Sequence, residues 1–317
     1  MAFGAAPGGG AAAVPPRGRM DVRHAGHEFA PFMVQADAWR LRFFAEAIGQ
    51  SDPAYTDFDA AMAAGHPALP LPPTFLACLE MDAPDPNALL TLLGLDPRQR
   101  LLHAEQGFVY HRMAYCGDRL SFRQRLDQVY DKKGGVLQFA VRSTRVTNQR
   151  DELVAELRHV LVAVHDAVPA PAATVSTGAP DDPAQGDGAE ALPALETAAI
   201  TRFDLALYAG ASGDHNPVHV DIDFARQAGF NDVFAHGMLV MAHAARALTA
   251  WTPQRRLRGL HLRFQRITHV GDRLRCEGRI TGRTEHAGEA LMRIGLAVRD
   301  ASGVVKASGQ ATVTAVS

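Results

Sequence analysis

Apolar and polar positions alternate in two different rhythms along this chain, and the same succession of rhythms occurs twice. In Trp39 to Gly49, WRLRFFAEAIG, the residues Phe43, Phe44, Ala47 and Ile48 fall roughly on one side, which predicts an amphipathic helix. The turn-rich SDPAYTDFD follows, then a short helical stretch from Asp59 to Ala64 closed by Gly65. Leu69 to Leu79 is apolar, but Pro70, Pro72 and Pro73 delay a helix to about Thr74. Pro84 and Pro86 stop it early, before a second helical piece from Ala88 to Leu93. The texture then turns to strands at Phe108 to Met113, Leu120 to Val129, Val136 to Val146 and Leu153 to Val164, separated by the turn signals CGD, DKKGG and NQRD. In the second half the order returns: a helix near Phe203 to Ala211, an irregular loop and a helix from His236 to Leu248. Strands follow at Leu260 to Ile267, Leu274 to Ile280, Ala290 to Arg299 and Val305 to Val316.

The halves align by hand. Phe44 to Phe75 lies over Tyr208 to Leu239 without a gap, matching Gly49 with Gly213, Pro53 with Pro217, Asp57 with Asp221, Asp59 with Asp223 and Gly65 with Gly229. A second block, RMAYCGDRL ending at Leu120, matches RITHVGDRL ending at Leu274. Two related domains are therefore expected, 20–166 and 197–317. The connecting segment 167–196 is rich in Ala, Pro, Gly and Asp, and reads as a solvated linker. Residues 1–19, MAFGAAPGGGAAAVPPRGR, read as disordered and lack the apolar core with a basic head of a signal peptide.

Composition narrows the partners. The 317 residues carry a formal net charge of -2, which gives no reason to expect nucleic acid as the partner. No apolar run is long enough to insert in a membrane. The three cysteines, Cys78, Cys116 and Cys276, are scattered and form no CxxC pair, which fits a cytoplasmic protein and disfavours a zinc ribbon.

The candidate chemistry lies between Tyr208 and Leu248. Asp214, Asn216, Pro217 and His219 crowd into six residues, and His236-Gly237-Met238 opens the buried helix. The proline disfavours regular helix there, so Asp214 and His219 can turn toward one point beside a helix N-terminus, as a general acid/base pair with an oxyanion pocket. Opposite Asp214 the first half has Gln50, opposite His219 it has Tyr55, and opposite His236-Gly237 it has Pro72-Pro73. Gln is no base, Tyr is a poor one near neutrality, and Pro has no N–H to donate. One site per chain, in the second half, is expected.

SGDHNPVH, Ser212 to His219, followed by AHGM, Ala235 to Met238, resembles the motif of the MaoC-like (R)-specific enoyl-CoA hydratase and 3-hydroxyacyl-thioester dehydratase family. The first half is similar to the non-catalytic N-terminal domain of fused members. The resemblance implies an α+β double hot-dog: two antiparallel sheets side by side, each wrapped around a central helix. It implies Asp214 and His219 as the catalytic dyad with Gly237 as oxyanion donor, and Asn216, His236 and Met238 as substrate-binding. It further implies an acyl-CoA or acyl-ACP thioester as substrate, no metal, and no cofactor beyond the coenzyme A carried by the substrate; it leaves a homodimer open. A 3-hydroxyacyl-ACP dehydratase, a hot-dog thioesterase and a non-catalytic acyl-thioester-binding protein are the alternatives.

Other residues have plainer readings. Asp214, His215, His219, Asp221 and Asp223 lack the glycine and closing Glu of a calcium loop. Asp221 and Asp223 recur at Asp57 and Asp59 in the degenerate half, which points to capping. His243 and His261 read as structural. Arg255, Arg256 and Arg258 read as a solvated strand face, with thioester-carrier phosphates as the rival role.

Overall fold

The computed structural model describes residues 19–95, 100–165, 190–286 and 288–315. The predicted disordered segment, apart from Arg19, and residues 167–189 of the predicted linker lie outside the described residues.

Helices α1 (Ala38–Ala47), α2 (Phe58–Ala63), α3 (Phe75–Glu80) and α4 (Ala88–Leu92) belong to the first half. Helices α5 (Arg202–Ser212), α6 (Ile222–Gln227) and α7 (Gly237–Trp251) belong to the second. The strands are β1 (Phe32–Gln35), β2 (Arg100–Tyr110), β3 (Arg119–Lys132), β4 (Leu137–Thr147) and β5 (Leu153–Val164), then β6 (Leu195–Ala199), β7 (Leu257–Phe264), β8 (Arg273–His286), β9 (Glu289–Asp300) and β10 (Val305–Thr314). All ten form one antiparallel sheet in the order β1-β3-β4-β5-β2-β7-β10-β9-β8-β6. Each half contributes five strands in the same internal order, and the halves join where β2 pairs with β7, Gln106 opposite Leu262 and Phe108 opposite Leu260. This is the expected double hot-dog.

The repeat is visible in the caps. Asp37 accepts from Trp39 and Arg40 N–H at the start of α1, and Thr201 forms a capping box with Asp204 at the start of α5. Asp57 caps α2 and Asp221 caps α6, as the recurrence of these residues suggests. Gly213 ends α5 at φ 79°, a conformation that a side chain resists, and a Cβ there would also meet Met81 at 3.2 Å.

The halves are tied reciprocally. Arg40 of α1 donates to the carbonyls of Ala211 and Ser212, each at 3.2 Å, and thus caps the end of α5. Arg246 of α7 donates to Ile48 O at 2.6 Å, just past the end of α1. At the seam, Glu105 of β2 meets Arg263 at 3.0 Å, Arg158 at 2.9 Å and His261 at 3.4 Å. The hydrogen bond from His261, then the bond from Arg158 and the charge of Arg263, outweigh burial and hold its carboxyl at about 2.

Helix α7 fills the concave side of its own half, burying Leu239, Val240, Met241, Ala242, Ala244, Ala245 and Leu248. Its counterpart α3 is only six residues long, and after the turn holding Pro84 and Pro86 the chain resumes in the five-residue α4. The prolines had predicted this late start and early stop.

Three parts of the fold differ from the pattern-based expectation. Strand β2 begins at Arg100 rather than Phe108. The edge strands β1 and β6 carry too few β-branched residues to stand out from loop. The end of the predicted linker is part of the sheet edge: Leu195 and Glu196 pair with Cys276 and Arg275, and Leu192 is buried. An edge strand gains its pairing from a neighbour more than 70 residues away in sequence, so local composition carries little of that signal. Among the described residues no helix is long and apolar enough to cross a membrane.

Candidate active site

Between α5 and α6 the chain makes the irregular turn that Pro217 predicts. Asn216 accepts from Val218 N–H at 3.3 Å and caps a single 3-10 turn, Pro217–His219. Asp214 N–H donates to Ser212 Oγ at 3.2 Å, and Asn216 N–H donates to the Asp214 carboxylate at 3.2 Å. The loop is thus fixed at both ends by its own short polar side chains.

These constraints bring Asp214, His219 and His236 together: one carboxylate oxygen and one nitrogen of each ring all lie within 4.8 Å of one another. His219 is buried, and its Nδ1–H donates to Phe234 O at 2.8 Å, which leaves Nε2 with its lone pair. His236 stacks on His219 with ring centroids 3.9 Å apart, and its Nε2–H donates to the Asp214 backbone carbonyl at 3.1 Å. Tyr208, fully buried, lies against His236 with centroids 5.0 Å apart.

Burial pushes both imidazoles toward neutrality, His219 below 6.5 despite the nearby Asp214, and His236 to about 3. Burial alone would raise the Asp214 carboxyl, but His236, His219 and the Asn216 N–H reverse the balance and leave it below 3.8. At neutral pH the cluster is a carboxylate beside two neutral rings.

A cavity of about 630 Å³ opens onto this cluster. Asp214, His219, Asn216, Gly237 and Met238 line it. His236, expected to bind substrate, is not part of that lining; it is 1% exposed, and its bond to the Asp214 carbonyl braces the loop behind Asp214 and His219. Gly237 begins α7, where no side chain caps the helix, so the first N–H groups retain their positive end for a ligand oxygen. A Cβ at Gly237 would lie 3.1 Å from the Phe264 ring, so any other residue there would press that ring aside.

The first half makes the opposite use of these positions. Gln50 accepts from Asp52 N–H at 3.1 Å, and Tyr55 OH donates to Gln254 Oε1 at 2.7 Å. Gln254 Nε2 donates to Leu71 O at 2.7 Å. The pocket beside Pro72 and Pro73 holds about 140 Å³. Arg255 and Arg258 line that small pocket rather than the large cavity, and Arg258 is paired with Glu289 at 2.8 Å. His261 joins the seam, and the Nδ1 of buried His243 lies 3.3 Å from Arg246 Nη1.

Two contributors escaped the sequence reading because they come from the other half. Arg40 holds the helix end that leads into Asp214. His103 of β2 lines the cavity with its ring 5.0 Å from Phe264, close enough for the charges of Asp214 and His103 to affect each other. Only the aligned repeat, which forecasts that the halves pack together, hinted at either.

Comparison with known proteins agrees with this architecture. Residues 23–157 match the family model of the FAS1-like dehydratase domain region, and residues 189–301 match the MaoC like domain. A UPF0336 protein of Saccharopolyspora erythraea is 34% identical over 145 residues, spanning 45% of this chain and 91% of its own. The mitochondrial 3-hydroxyacyl-[acyl-carrier-protein] dehydratase of Arabidopsis thaliana is 35% identical over 79 residues, spanning 25% of this chain and 48% of its own. A solved MaoC-like dehydratase superposes with a TM-score of 0.74 at 22% identity, over 92% of this chain and 98% of its own, which speaks for the fold. The chain thus joins a FAS1-like dehydratase domain region to a MaoC like domain, in a two-domain double hot-dog form.

Proposed function

We propose that this protein catalyses the reversible hydration of a trans-2-enoyl-CoA to the (R)-3-hydroxyacyl-CoA. The observation that carries the reading is the convergence of Asp214 and His219 at the free N-terminus of α7, on the wall of a cavity large enough for an acyl thioester. The Asp214 carboxylate and His219 Nε2 each accept one hydrogen of the attacking water. As its oxygen bonds to C3, one proton passes to the pair, and the pair returns a proton to C2; HO and H add across the double bond in balance. Negative charge that develops on the thioester oxygen is met by the Gly237 N–H and the helix dipole.

Incubating purified protein with crotonyl-CoA and longer enoyl-CoAs tests the reading: absorbance of the conjugated thioester falls, and chiral analysis finds the (R)-alcohol. Release of free thiol instead would mark a thioesterase, and binding without turnover a non-catalytic acyl-thioester carrier. The Arabidopsis relative favours one further reading, an acyl-carrier-protein thioester as substrate, which side-by-side rates with CoA and ACP thioesters decide. The mechanism uses no metal. Asp214, His219 and His236 are chemically a possible ligand set, but His236 lies behind the cavity wall. Full activity in excess chelator supports the acid/base role, and loss restored by a divalent ion would replace it.

A further inference from the structure

Beyond the dyad, the cavity continues into the first half under α3 and α4, where Leu89, Leu90, Leu101 and Leu161 line it. Between dyad and leucines lies a band of polar side chains that proton transfer at C2 and C3 does not use. His103, within electrostatic reach of Asp214, packs edge-on against His159 with ring centroids 4.2 Å apart. In the sheet, His159 of β5 is paired with Arg142 of β4 on one side and Gln106 of β2 on the other, and all three line the cavity. Arg142 Nη2 lies 3.3 Å from Glu80 Oε2, and Glu80 also accepts from Gln124 Nε2 at 3.1 Å and from Thr144 Oγ1.

Glu80 is therefore fully engaged, whereas Arg142 Nε and His159 Nδ1 are buried without hydrogen-bond partners. A plain hydrocarbon chain crossing this band would leave both unpaired and desolvate the ion pair for nothing. The band is also close to electrically neutral. Arg142 is balanced by Glu80, and burial, with His103 and Arg142 alongside, pushes His159 well below 6.5. A carboxylate placed here would face Glu80 with no spare cation. A hydroxyl or keto oxygen matches both the unpaired groups and the absence of net charge.

We propose that the acyl chains this protein takes carry a neutral oxygen function beyond C3, seated at Arg142 and His159. The proposal rests on the thioester reading above and specifies its substrate class.

Binding tests it without turnover. Titrate the full-length protein calorimetrically with saturated dodecanoyl-CoA, with dodecanoyl-CoAs bearing one hydroxyl at successive positions from C6 to C12, and with the terminal-carboxylate analogue. At least one hydroxylated ligand binds tenfold or more tighter than dodecanoyl-CoA, and His159→Phe, which keeps the packing on His103, removes most of that advantage. Because Arg142→Met alone would strand Glu80, the pair Glu80→Gln/Arg142→Met serves as the second variant and abolishes the preference too. Equal Kd for plain and hydroxylated chains, tighter binding of the carboxylate, or a preference surviving both variants overturns the proposal. Turnover separates the two readings: no hydration of crotonyl-CoA or of any longer enoyl-CoA, alongside an intact hydroxyl preference in binding, sinks the hydratase reading alone.

Discussion

Position 50 and position 214 occupy equivalent places in the two halves, each just past a helix whose last turn is capped from the other half. At 214 the side chain is a carboxylate facing a 630 Å³ cavity; at 50 it is an amide folded back onto the Asp52 N–H. Position 219 is an imidazole with one nitrogen free, whereas position 55 is a phenol spent on Gln254. Helix α7 starts with an uncapped glycine and runs 15 residues, whereas α3 follows two prolines and runs six. The scaffold is shared and the side chains are used differently: Gln50 closes a local turn on Asp52, Tyr55 ties the first half to Gln254 of the second, and the shorter α3 lies where Ala77 and Glu80 line the cavity.

The largest expected effect is at the dyad. Asp214→Asn and His219→Ala each lower kcat for hydration by about 10²–10⁴-fold, as expected for a positioned acid/base group. Gln50→Ala and Tyr55→Phe leave kcat within about twofold of the parent. Steady-state kinetics with far-UV spectra as a folding control decide it; equal losses in both halves would mean two working sites.

Next in size is the contrast between the reciprocal arginines. Arg40→Met and Arg246→Met each remove charged donors to helix-end carbonyls and lower stability by about 1.5–3 kcal/mol in denaturant melts. Only Arg40→Met lowers kcat, by about tenfold, because its helix end leads into Asp214 and a small misplacement is costly. A matching loss of kcat in Arg246→Met would break the asymmetry.

Ala77 of α3 lines the cavity, so Ala77→Trp should reduce kcat/KM for C12 enoyl-CoA by about tenfold while sparing crotonyl-CoA. Leu79, an equally apolar neighbour, is 1% exposed and points into the core, so Leu79→Trp tests overpacking rather than chain length.

The pH profile gives a smaller, signed effect. His219 is lowered from 6.5 by burial, and Asp214 ends below 3.8. Both stay unprotonated as pH falls through the ordinary histidine range, so kcat/KM stays level near neutrality and its acid limb lies below pH 6.5. Asp214 raises His219, so in Asp214→Asn the acid limb of the residual activity moves to still lower pH. A limb that moves upward would contradict the arrangement.

The repeat, the proline-shortened α3 and the irregular loop from Asp214 to His219 were legible in the chain because each depends on local spacing: Pro217 for the turn, Asp57 and Asp221 for caps, Pro72 and Pro73 for the late start of α3. HGM marks a helix start but not the direction of a side chain, so the chain does not reveal that the His236 ring turns back to the Asp214 carbonyl. His103, Arg142 and His159 look like ordinary strand residues in sequence, with no motif around them.

What the sequence by itself determined is the order of elements, the duplicated frame and the residues able to do acid/base chemistry in one half. Periodicity, prolines and short polar caps act within a few residues of where they stand. Only the tertiary structure decided that β2 and β7 would zip the halves into one sheet, that Arg40 would secure the loop of the other half, and that the cavity beyond the dyad would be walled by the first half. Those outcomes depend on contacts between residues 150 or more apart in sequence, on which neighbouring residues in the chain exert no direct physical influence.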